Sequence, residues 1–243
     1  MHRFYAADVI QSGVPVPLTA EDTRHACQVL RLKAGDRAEL LSGGERWLCT
    51  ALRVTPSEAL FTPVSPLPST EAAHAFTLYQ GLPKSDKMDW IVQKAVELGA
   101  VRIVPVLMSR SVARIEGTDA ARKCERWQRI AHEACKQSGR CAEPSVGRPL
   151  TMQALAEEVQ TLDAAAVAWE EEHGQSLRRF REVHSEARSI GIVIGPEGGI
   201  EEREIEMPRA AGCDPVTLGP RILRTETAGL ASLAALLALY GDL

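Results

Sequence analysis

The sequence predicts an α/β fold in two domains, a small β-rich domain followed by a larger domain built on a parallel sheet. Two observations predict this architecture. Residues 2–65 carry short β-type runs that Gly43, Gly44 and Pro56 interrupt, whereas strand-like and helix-like runs alternate from residue 76 onward. Strands separated by helices indicate a parallel sheet with right-handed crossovers. A length of 243 residues suits one large domain or two small ones.

The N-terminal domain is predicted to be a small β-barrel with one helix. Its strands are expected at residues 2–6, 37–41, 46–55 and 59–64. Thr19, with Asp22 three residues later, predicts an N-terminal cap for a helix that includes residues 25–30.

A linker between the domains is predicted from composition. The run from Pro63 to Thr70 is rich in proline and serine, which is typical of a stiff, polar connection. We therefore place the β-barrel domain at residues 1–68 and the α/β domain at residues 72–243. The strands of the second domain are expected at residues 76–80, 102–107, 164–169, 189–194 and 216–218. Its helices are expected at residues 86–98, 119–137, 152–160, 176–183, 201–211 and 226–240.

Single residues support several of these elements. Ser85 is expected to cap the helix at 86–98, and Gly99 is expected to end it. Pro105, inside the strand at 102–107, indicates an edge position or a bulge because proline has no N–H to donate.

The final helix is apolar on nearly all of its faces. Residues 228–239 contain only Ala, Leu, Gly and Ser. Such a helix is unfavourable on a solvent-exposed surface, so it must be buried. Because it lies at the end of the chain, we expect partial burial at a homodimer interface. Burial in the core of the domain alone is the alternative.

Composition and charge exclude several classes of protein. A hydrophobic content of 45% with 25% charged residues is typical of a globular domain, and a net charge of −4 argues against indiscriminate binding of polyanions. We expect a cytoplasmic protein, because no apolar run has membrane-spanning length and the first residues lack the core of a signal peptide. The six scattered cysteines predict reduced thiols. Lys136 stands where an HExxH string needs its second histidine, so we expect no metal site.

Two glycine-rich loops are the strongest functional signal in the chain. The first loop spans residues 195–199 and the second loop spans 218–228; each follows a predicted strand and leads into a predicted helix. Ligands of open α/β sheets bind where such strand ends meet. Neither loop has a Walker A or dinucleotide fingerprint, and the acidic turn at 201–204 disfavours a pyrophosphate. The loops favour an adenosine that carries a sulfonium; the alternative is that the glycines only form turns.

Several strings of residues resemble one enzyme family. IGPEGG at residues 194–199 and LGPRILRTETA at 218–228 are similar to the signature of the small-subunit ribosomal RNA methyltransferase E family. Residues 25–36, 84–99 and 127–140 are similar to further parts of that family. The resemblance implies a SPOUT-type parallel sheet with a deep C-terminal trefoil knot, a PUA-like N-terminal barrel and a homodimer. It also implies S-adenosylmethionine-dependent methylation of uracil N3 in 16S ribosomal RNA of the small subunit.

Specific residues are assigned roles on this basis. Arg224 is expected to stabilise negative charge on a uracil carbonyl oxygen. Glu226 is expected either to accept the N3 proton or to hold Arg224 or its loop in place. Glu197 is expected to approach the sulfonium or the ribose hydroxyls, and stabilisation of its turn is the alternative. The residues expected to bind S-adenosylmethionine are Trp169, Gly195, Glu197, Gly198, Gly199, Leu218, Gly219, Ile222, Leu223, Thr225, Thr227 and Ala228.

Basic residues are expected to bind the RNA backbone while the target base is extruded into the pocket. The residues expected to contact phosphates are Arg31, Lys33, Lys84, Lys87, Arg110, Lys136 and Arg140. Replacement of Lys136 or Arg140 by Ala is expected to weaken RNA association and to reduce its salt dependence, without changing cofactor affinity.

Two other functions remain open. A knotted methyltransferase of this kind could modify another RNA atom, such as a ribose 2′-hydroxyl, and mass spectrometry of nucleosides would separate the products. The chain could instead be a non-catalytic RNA-binding assembly factor, which calorimetry with S-adenosylmethionine would reveal by the absence of binding. A nicotinamide oxidoreductase is disfavoured, because the glycine fingerprint and the acidic ribose-binding residue are absent.

Overall fold

The computed structural model describes residues 1–6, 9–112, 115 and 117–243. Within it the chain divides into two compact units. The N-terminal unit comprises residues 1–71 and 135–143, and the C-terminal unit comprises residues 72–134 and 144–243. The presence of residues 135–143 in the N-terminal unit differs from the single cut that the sequence predicts.

The N-terminal unit is built on a curled, mixed sheet of five strands. Its strands are β1 (His2–Tyr5), β2 (Val16–Pro17), β3 (Arg37–Ser42), β4 (Glu45–Val54) and β5 (Ala59–Leu67). They lie in the order β1-β3-β4-β5-β2, with β1 parallel to β3 and the other neighbours antiparallel. The sheet buries an apolar core that includes Phe4, Leu40 and Phe61, and this burial holds the unit together.

A short helix and a π-helical turn connect β2 to β3. The helix α1 (Ala20–Arg24) continues directly into the π-helical segment His25–Val29. The predicted cap is confirmed, because Oγ1 of Thr19 accepts a 3.1 Å hydrogen bond from the N–H of Asp22. Just beyond, Arg31 has a φ of 55°, which is a costly conformation for a residue with a Cβ. Arg31 is thereby held on an exposed turn.

The predicted proline linker is wrong in its first half. β5 continues through Pro63 and Pro66 to Leu67 and pairs with β4 along this stretch. On the other side, β2 pairs only with Leu60 and Phe61 of β5. The two prolines therefore lie along a strand edge where a missing N–H is tolerated.

Residues 135–143 join the N-terminal unit through buried polar contacts. The Tyr5 hydroxyl donates a 2.5 Å hydrogen bond to the carbonyl oxygen of Arg140. The guanidinium of Arg140 donates to Glu71 at 2.6 Å, and the same carboxylate accepts a hydrogen bond from the N–H of Cys141. Burial raises the pKa of Tyr5 far above its ordinary value, so the hydroxyl stays a neutral donor.

The C-terminal unit contains a parallel seven-stranded sheet alternating with helices, which confirms the predicted α/β class. Its strands are β6 (Ala75–Gly81), β7 (Arg102–Leu107), β8 (Ser145–Val146), β9 (Leu150–Thr151), β10 (Ala164–Ala168), β11 (Ser189–Ile194) and β12 (Cys213–Val216). The helices that follow α1 in the chain are α2 (Lys87–Leu98), α3 (Gly117–Ser138), α4 (Met152–Val159), α5 (Leu177–Val183), α6 (Glu202–Ala210) and α7 (Thr225–Tyr240). The strand order is β12-β10-β11-β6-β7-β8, with β9 also paired to β7.

Several local details of the C-terminal unit differ from the prediction. β12 ends at Val216, whereas the last strand was expected at 216–218, and the short strands β8 and β9 were not expected. Ser85 does not cap α2, because its φ is 55° and Asp86 holds the N-cap position. Pro105 lies at the expected irregularity, in the gap between the residues of β7 that pair with β8 and those that pair with β9. The strand order does not decide the trefoil knot, which stays a prediction.

The helices α2 and α7 pack side by side and run in the same direction. Lys87 at the start of α2 is 3.1 Å from Glu226 in the first turn of α7, and Leu237 near the end of α7 faces Gly99, which ends α2. One face of α7 is buried. Another face stays at least partly exposed and consists of small and apolar residues: Leu230, Ala231, Ala234 and Ala235. No helix in the described part of the chain has both the length and the apolar character needed to span a bilayer.

Candidate active site

A cavity of about 590 Å³ lies at the carboxyl ends of β10, β11 and β12. The first loop follows β11 and the second loop follows β12, so both open on the same edge of the sheet. Most of the residues predicted to bind the cofactor line it: Trp169, Gly195, Glu197, Gly199, Leu218, Gly219, Ile222, Leu223, Thr225 and Ala228. Gly198 and Thr227 are not among its described lining residues. Contact of the ten lining residues with a ligand stays a prediction.

Close backbone packing shapes the first loop. A Cβ on Gly81, at the end of β6, would lie 2.6 Å from the nitrogen of Pro196, so only glycine fits there. Gly199 has a φ of 74°, and its N–H donates a 3.0 Å hydrogen bond to the carbonyl oxygen of Pro196. A Cβ on Gly198 would lie 2.8 Å from the Cβ of Arg110, whose guanidinium donates to the Gly198 carbonyl at 3.0 Å. Gly198 therefore permits the approach of Arg110 and does not form the cavity wall.

A buried hydroxyl group joins the two loops. Oγ1 of Thr225, the first residue of α7, donates a 2.6 Å hydrogen bond to the carbonyl oxygen of Gly195. The same oxygen accepts a 2.8 Å hydrogen bond from Nε2 of Gln80, which is fully buried in β6. A Cβ on Gly229 would lie 2.9 Å from Oε1 of Gln80, so this glycine lets α7 approach β6. We call this set of contacts the Thr225 clasp.

Lys87 lines the cavity, and its ammonium group lies between two carboxylates. Nζ of Lys87 donates to Oε1 of Glu197 at 3.0 Å and to Oε2 of Glu226 at 3.1 Å. The hydrogen bonds to Glu197 and then Glu226 raise the pKa of Lys87. Burial alone would raise the pKa of each carboxyl group, but other contacts outweigh it. At Glu197 these are the hydrogen bond from Lys87 and the backbone N–H groups of Glu197 itself and of Lys84. At Glu226 they are its own backbone N–H, then Lys87 and the charge of Arg224. The pKa values of Glu197 and Glu226 are lowered, so all three groups are charged at neutral pH.

The two predicted catalytic residues differ in their surroundings. Arg224 lines the cavity, is exposed, and occupies the N-cap position of α7. Glu226 lies in the first turn of that helix, bound by Lys87, and is not among the described lining residues. A carboxylate paired with an ammonium group is a weaker base, so the geometry favours a holding role for Glu226 over proton acceptance.

Sequence reasoning missed an acidic residue at the cavity. Glu170 lines the cavity directly after Trp169, and a Cβ on Gly199 would lie 2.9 Å from Oε1 of Glu170. His173 and Arg221 also line it. The position of Glu170 just beyond the predicted strand at 164–169 could have revealed it, since strand ends of a parallel sheet share one edge. Nowhere in the described residues do three His, Cys, Asp or Glu side chains come together as metal ligands.

The residues predicted to bind phosphate have different environments. Three are exposed: Arg31, Lys33 and Lys84. Lys136 pairs with the carboxylate of Asp22 at 3.6 Å, and Arg110 binds the Gly198 carbonyl.

Arg140 is buried, in contrast to its predicted role at the RNA surface. Its residue is 4% exposed, and its guanidinium binds the carboxylate of Glu71 at 2.6 and 3.0 Å. A buried guanidinium could reach a phosphate only by leaving its carboxylate without a cationic partner, which is strongly unfavourable. The structure thus gives Arg140 a place in the fold, and we remove it from the expected RNA contacts.

The fold and the cavity together define a class of enzyme, the RNA methyltransferases with an α/β domain and a PUA domain. Residues 70–237 match the family model of an RNA methyltransferase domain. Residues 18–63 match the family model of an RNA methyltransferase PUA domain.

The chain belongs to the ribosomal RNA small subunit methyltransferase E family, as the loop strings indicated. The family member from Bacillus subtilis is 36% identical over 235 residues, which cover 93% of this chain and 91% of the relative. The member from Aquifex aeolicus is 30% identical, over 98% of this chain and 99% of the relative.

Two solved structures resemble the chain and carry a ligand. The ribosomal RNA small subunit methyltransferase E of Neisseria gonorrhoeae, bound to S-adenosyl methionine, has 31% identity and a TM-score of 0.84, covering 99% of this chain and 98% of that one. A putative methyltransferase from Legionella pneumophila, in complex with the same cofactor, has 28% identity and a TM-score of 0.80, covering 97% and 96%.

Proposed function

We propose that this protein transfers the methyl group of S-adenosylmethionine to N3 of a uridine in 16S ribosomal RNA of the small subunit. The observation that carries the proposal is the convergence of the two glycine loops on one cavity, joined by the Thr225 clasp. The names of the relatives support ribosomal RNA of the small subunit as the substrate. The choice of uracil N3 comes from the resemblance of the loop strings.

The cavity suits S-adenosylmethionine in size and in charge. Its volume of about 590 Å³ lies within the usual range of cofactor sites. The carboxylates of Glu170 and Glu197 offer negative charge to a cation, and the ammonium of Lys87 is already compensated. We assign the adenosine to the backbone of Gly195, Gly199 and Gly219. The apolar walls are the side chains of the second loop: Leu218, Ile222 and Leu223. When bound, the cofactor supplies an electrophilic methyl group.

Arg224 is assigned to the uracil. Uracil N3 is a poor nucleophile while protonated, and its deprotonation places negative charge on the neighbouring carbonyl oxygens. A guanidinium at the cavity stabilises such a charge through its fixed donors. Among the described contacts, the Arg224 side chain makes no hydrogen bond or ion pair within the chain, which leaves its donors for the base.

Glu226 is assigned to holding the loop. Its own backbone N–H and its ion pair with Lys87 keep its pKa low, which supports this role over that of the proton acceptor.

The RNA is assigned to basic residues that are exposed or partly exposed, and a second copy of the chain is assigned to the apolar face of α7. The target base is extruded into the cavity. The phosphates are assigned to Arg31, Lys33, Lys84, Arg110 and Lys136. The partly exposed apolar face of α7, with the exposed Trp90 of the adjacent α2, supports a homodimer interface because an isolated apolar face of this kind favours burial.

The reaction is tested by incubating the protein with labelled S-adenosylmethionine and either naked 16S ribosomal RNA or purified small subunits. Nucleoside mass spectrometry should then show N3-methyluridine, and comparison of the two substrates identifies the one that is used. Arg224→Ala should lower the rate while retaining cofactor binding in calorimetry. A ribose-methylated product would replace the uracil assignment, and the absence of both methylation and cofactor binding would favour the assembly factor.

The homodimer is tested separately by analytical ultracentrifugation. Ala234→Arg should shift the protein toward the monomer, whereas Arg178→Glu on the exposed part of α5 should not. A monomeric wild-type protein at micromolar concentration would contradict the assignment.

A further inference from the structure

We propose that Lys87 is a positioning residue of the methyl-transfer site: it holds Glu197 of the first loop and Glu226 of α7 at a fixed spacing. The inference rests on the proposed function, and it replaces the expectation that Lys87 contacts an RNA phosphate. Three segments that are far apart in sequence meet at its ammonium group.

The surroundings of Lys87 disfavour a role as a phosphate anchor. Two of its three N–H donors already point to carboxylates, at 3.0 and 3.1 Å. A phosphate would have to compete with two negative charges that belong to the same folded unit. Lys84, three residues earlier, is exposed and has no described side-chain partner, so it is the better candidate for the backbone of RNA.

The loop before α2 takes part in the same arrangement. The backbone N–H of Lys84 donates to both carboxylate oxygens of Glu197, at 3.2 and 3.3 Å. The next residue, Ser85, has a φ of 55°, and such conformations persist only where surrounding contacts stabilise them. Glu197 therefore ties the first loop to the start of α2 through both a main-chain and a side-chain donor.

Lys87 and the Thr225 clasp link the same two loops independently. The clasp joins Gly195 to the first residue of α7, and the lysine joins Glu197 to the second residue of α7. Two links separated by two residues in the first loop fix its orientation as well as its distance from α7. The orientation matters because transfer requires close alignment of the donor methyl and the acceptor atom.

The expected effect of Lys87 on the reaction rate is much larger than its expected effect on the stability of the fold. All three side chains are partly exposed, at 34%, 24% and 18%, and ion pairs in contact with water contribute little to folding. A displacement of reacting groups by about 1 Å, by contrast, costs roughly 100-fold in rate. Loss of Lys87 should therefore reduce turnover much more than it reduces the melting temperature.

Charge provides a second signature. The charged groups facing the pair of carboxylates are Lys87 of α2 and Arg224 at the start of α7, with the backbone N–H of Lys84 at Glu197. Lys87 lowers the pKa of both carboxyl groups. Without it, the carboxyl groups should take up protons at a higher pH, so the acid side of the activity profile should move to higher pH.

The test compares Lys87→Met with Lys87→Arg and with Lys94→Met. Lys94 is the matched control, because it lies on the same helix and forms an ion pair with Glu97 at 2.8 Å away from the cavity. We expect Lys87→Met to lower kcat by about 10- to 100-fold, with a nearly unchanged melting temperature and an unchanged salt dependence of RNA binding. Lys87→Arg should restore part of the rate, and Lys94→Met should match the wild type.

Two results would overturn the inference. Wild-type kcat in Lys87→Met would remove the positioning role. A salt slope reduced by about one, with kcat retained, would identify a phosphate contact instead.

A further measurement needs no turnover. Carbon-13 NMR titration should show higher pKa values for the carboxyl groups of Glu197 and Glu226 in Lys87→Met than in the wild type. Unchanged values would overturn the link even in a protein that methylates nothing. If the wild type forms no methylated product but Lys87→Met still raises these pKa values, the proposed function is wrong and the positioning link stands.

Discussion

The hydroxyl of Thr225 donates a 2.6 Å hydrogen bond to the carbonyl oxygen of Gly195, and this bond joins the two glycine loops across 30 positions of the sequence. Because Gln80 donates to the same hydroxyl, the contact also ties both loops to a central strand of the sheet. One buried side-chain oxygen therefore joins both walls of the cavity to the sheet.

Removal of that oxygen should weaken both the fold and the cavity. Thr225→Val removes the hydroxyl donor from the carbonyl of Gly195 and leaves the buried amide of Gln80 only its 3.2 Å hydrogen bond to the carbonyl of Gly81. This loss should lower the free energy of unfolding by about 1–3 kcal/mol. Urea denaturation measures this loss, and calorimetry should show weaker binding of S-adenosylmethionine. Thr225→Ser keeps the hydroxyl and should stay within about 1 kcal/mol of the wild type. Equal values for the Ser and Val variants would show that the hydroxyl does not matter.

Gly81→Ala should displace the first loop. Its new Cβ would lie 2.6 Å from the backbone nitrogen of Pro196, which cannot rotate away as a side chain would. Overpacking of this kind costs about 1–3 kcal/mol and should reduce cofactor affinity. Gly174→Ala is the matched control, because its Cβ would meet nothing closer than 3.4 Å. Cofactor affinity of Gly81→Ala equal to that of the control would contradict the prediction.

Arg140→Met should destabilise the N-terminal unit and should not act mainly on RNA. It leaves the carboxylate of Glu71 without its buried guanidinium, a change that costs about 3–5 kcal/mol. Denaturation followed by circular dichroism measures the loss. Arg24→Ala, at an exposed position of the same unit, should change the free energy of unfolding by at most about 0.5 kcal/mol. A stable Arg140→Met variant with weakened RNA binding would restore the original assignment.

Acid should weaken the N-terminal unit through Glu39. Burial alone would raise its pKa, but hydrogen bonds from Arg46 and Arg3 outweigh burial and lower the pKa below the ordinary value of 4.5. A lowered folded-state pKa stabilises the fold above the unfolded-state value, and this contribution is lost as pH falls through the folded-state value. The difference in unfolding free energy between wild type and Glu39→Gln should therefore shrink below about pH 4.5. A difference that stays constant in acid would refute this.

Much of the site could be predicted because it depends on local sequence signals. Glycine residues after apolar strands indicate strand ends, and strand ends of a parallel sheet share one edge. This rule predicts that Gly195, Gly199 and Gly219 lie close together, and all three line the cavity. Glu170 follows the same rule but lacks a neighbouring glycine, so nothing in its immediate sequence drew attention to it.

Pairing between distant residues could not be predicted in this way. The sequence shows that Arg140 and Lys87 are basic, but it does not show their partners. Only the fold shows that Glu71 binds Arg140 and that Glu197 and Glu226 bind Lys87. The prolines of β5 led to a wrong prediction of a linker for a related reason. A strand tolerates a proline where its missing N–H would face no neighbouring strand, and the sequence does not show which side has a neighbour. The charge of a side chain and the positions of glycine and proline can be read from the sequence, whereas the partner of an ion pair depends on the topology of the fold.

The N-terminal unit is not continuous in the chain, and this has a consequence for its biogenesis. Translation delivers residues 1–71 long before residues 135–143, so Tyr5 and Glu71 are synthesised without the groups that satisfy them. The unit reaches its final form only when more than half of the polypeptide has left the ribosome. A fragment cut at the apparent domain boundary would lack these groups, and only a fragment that extends at least to residue 143 contains every residue of this unit.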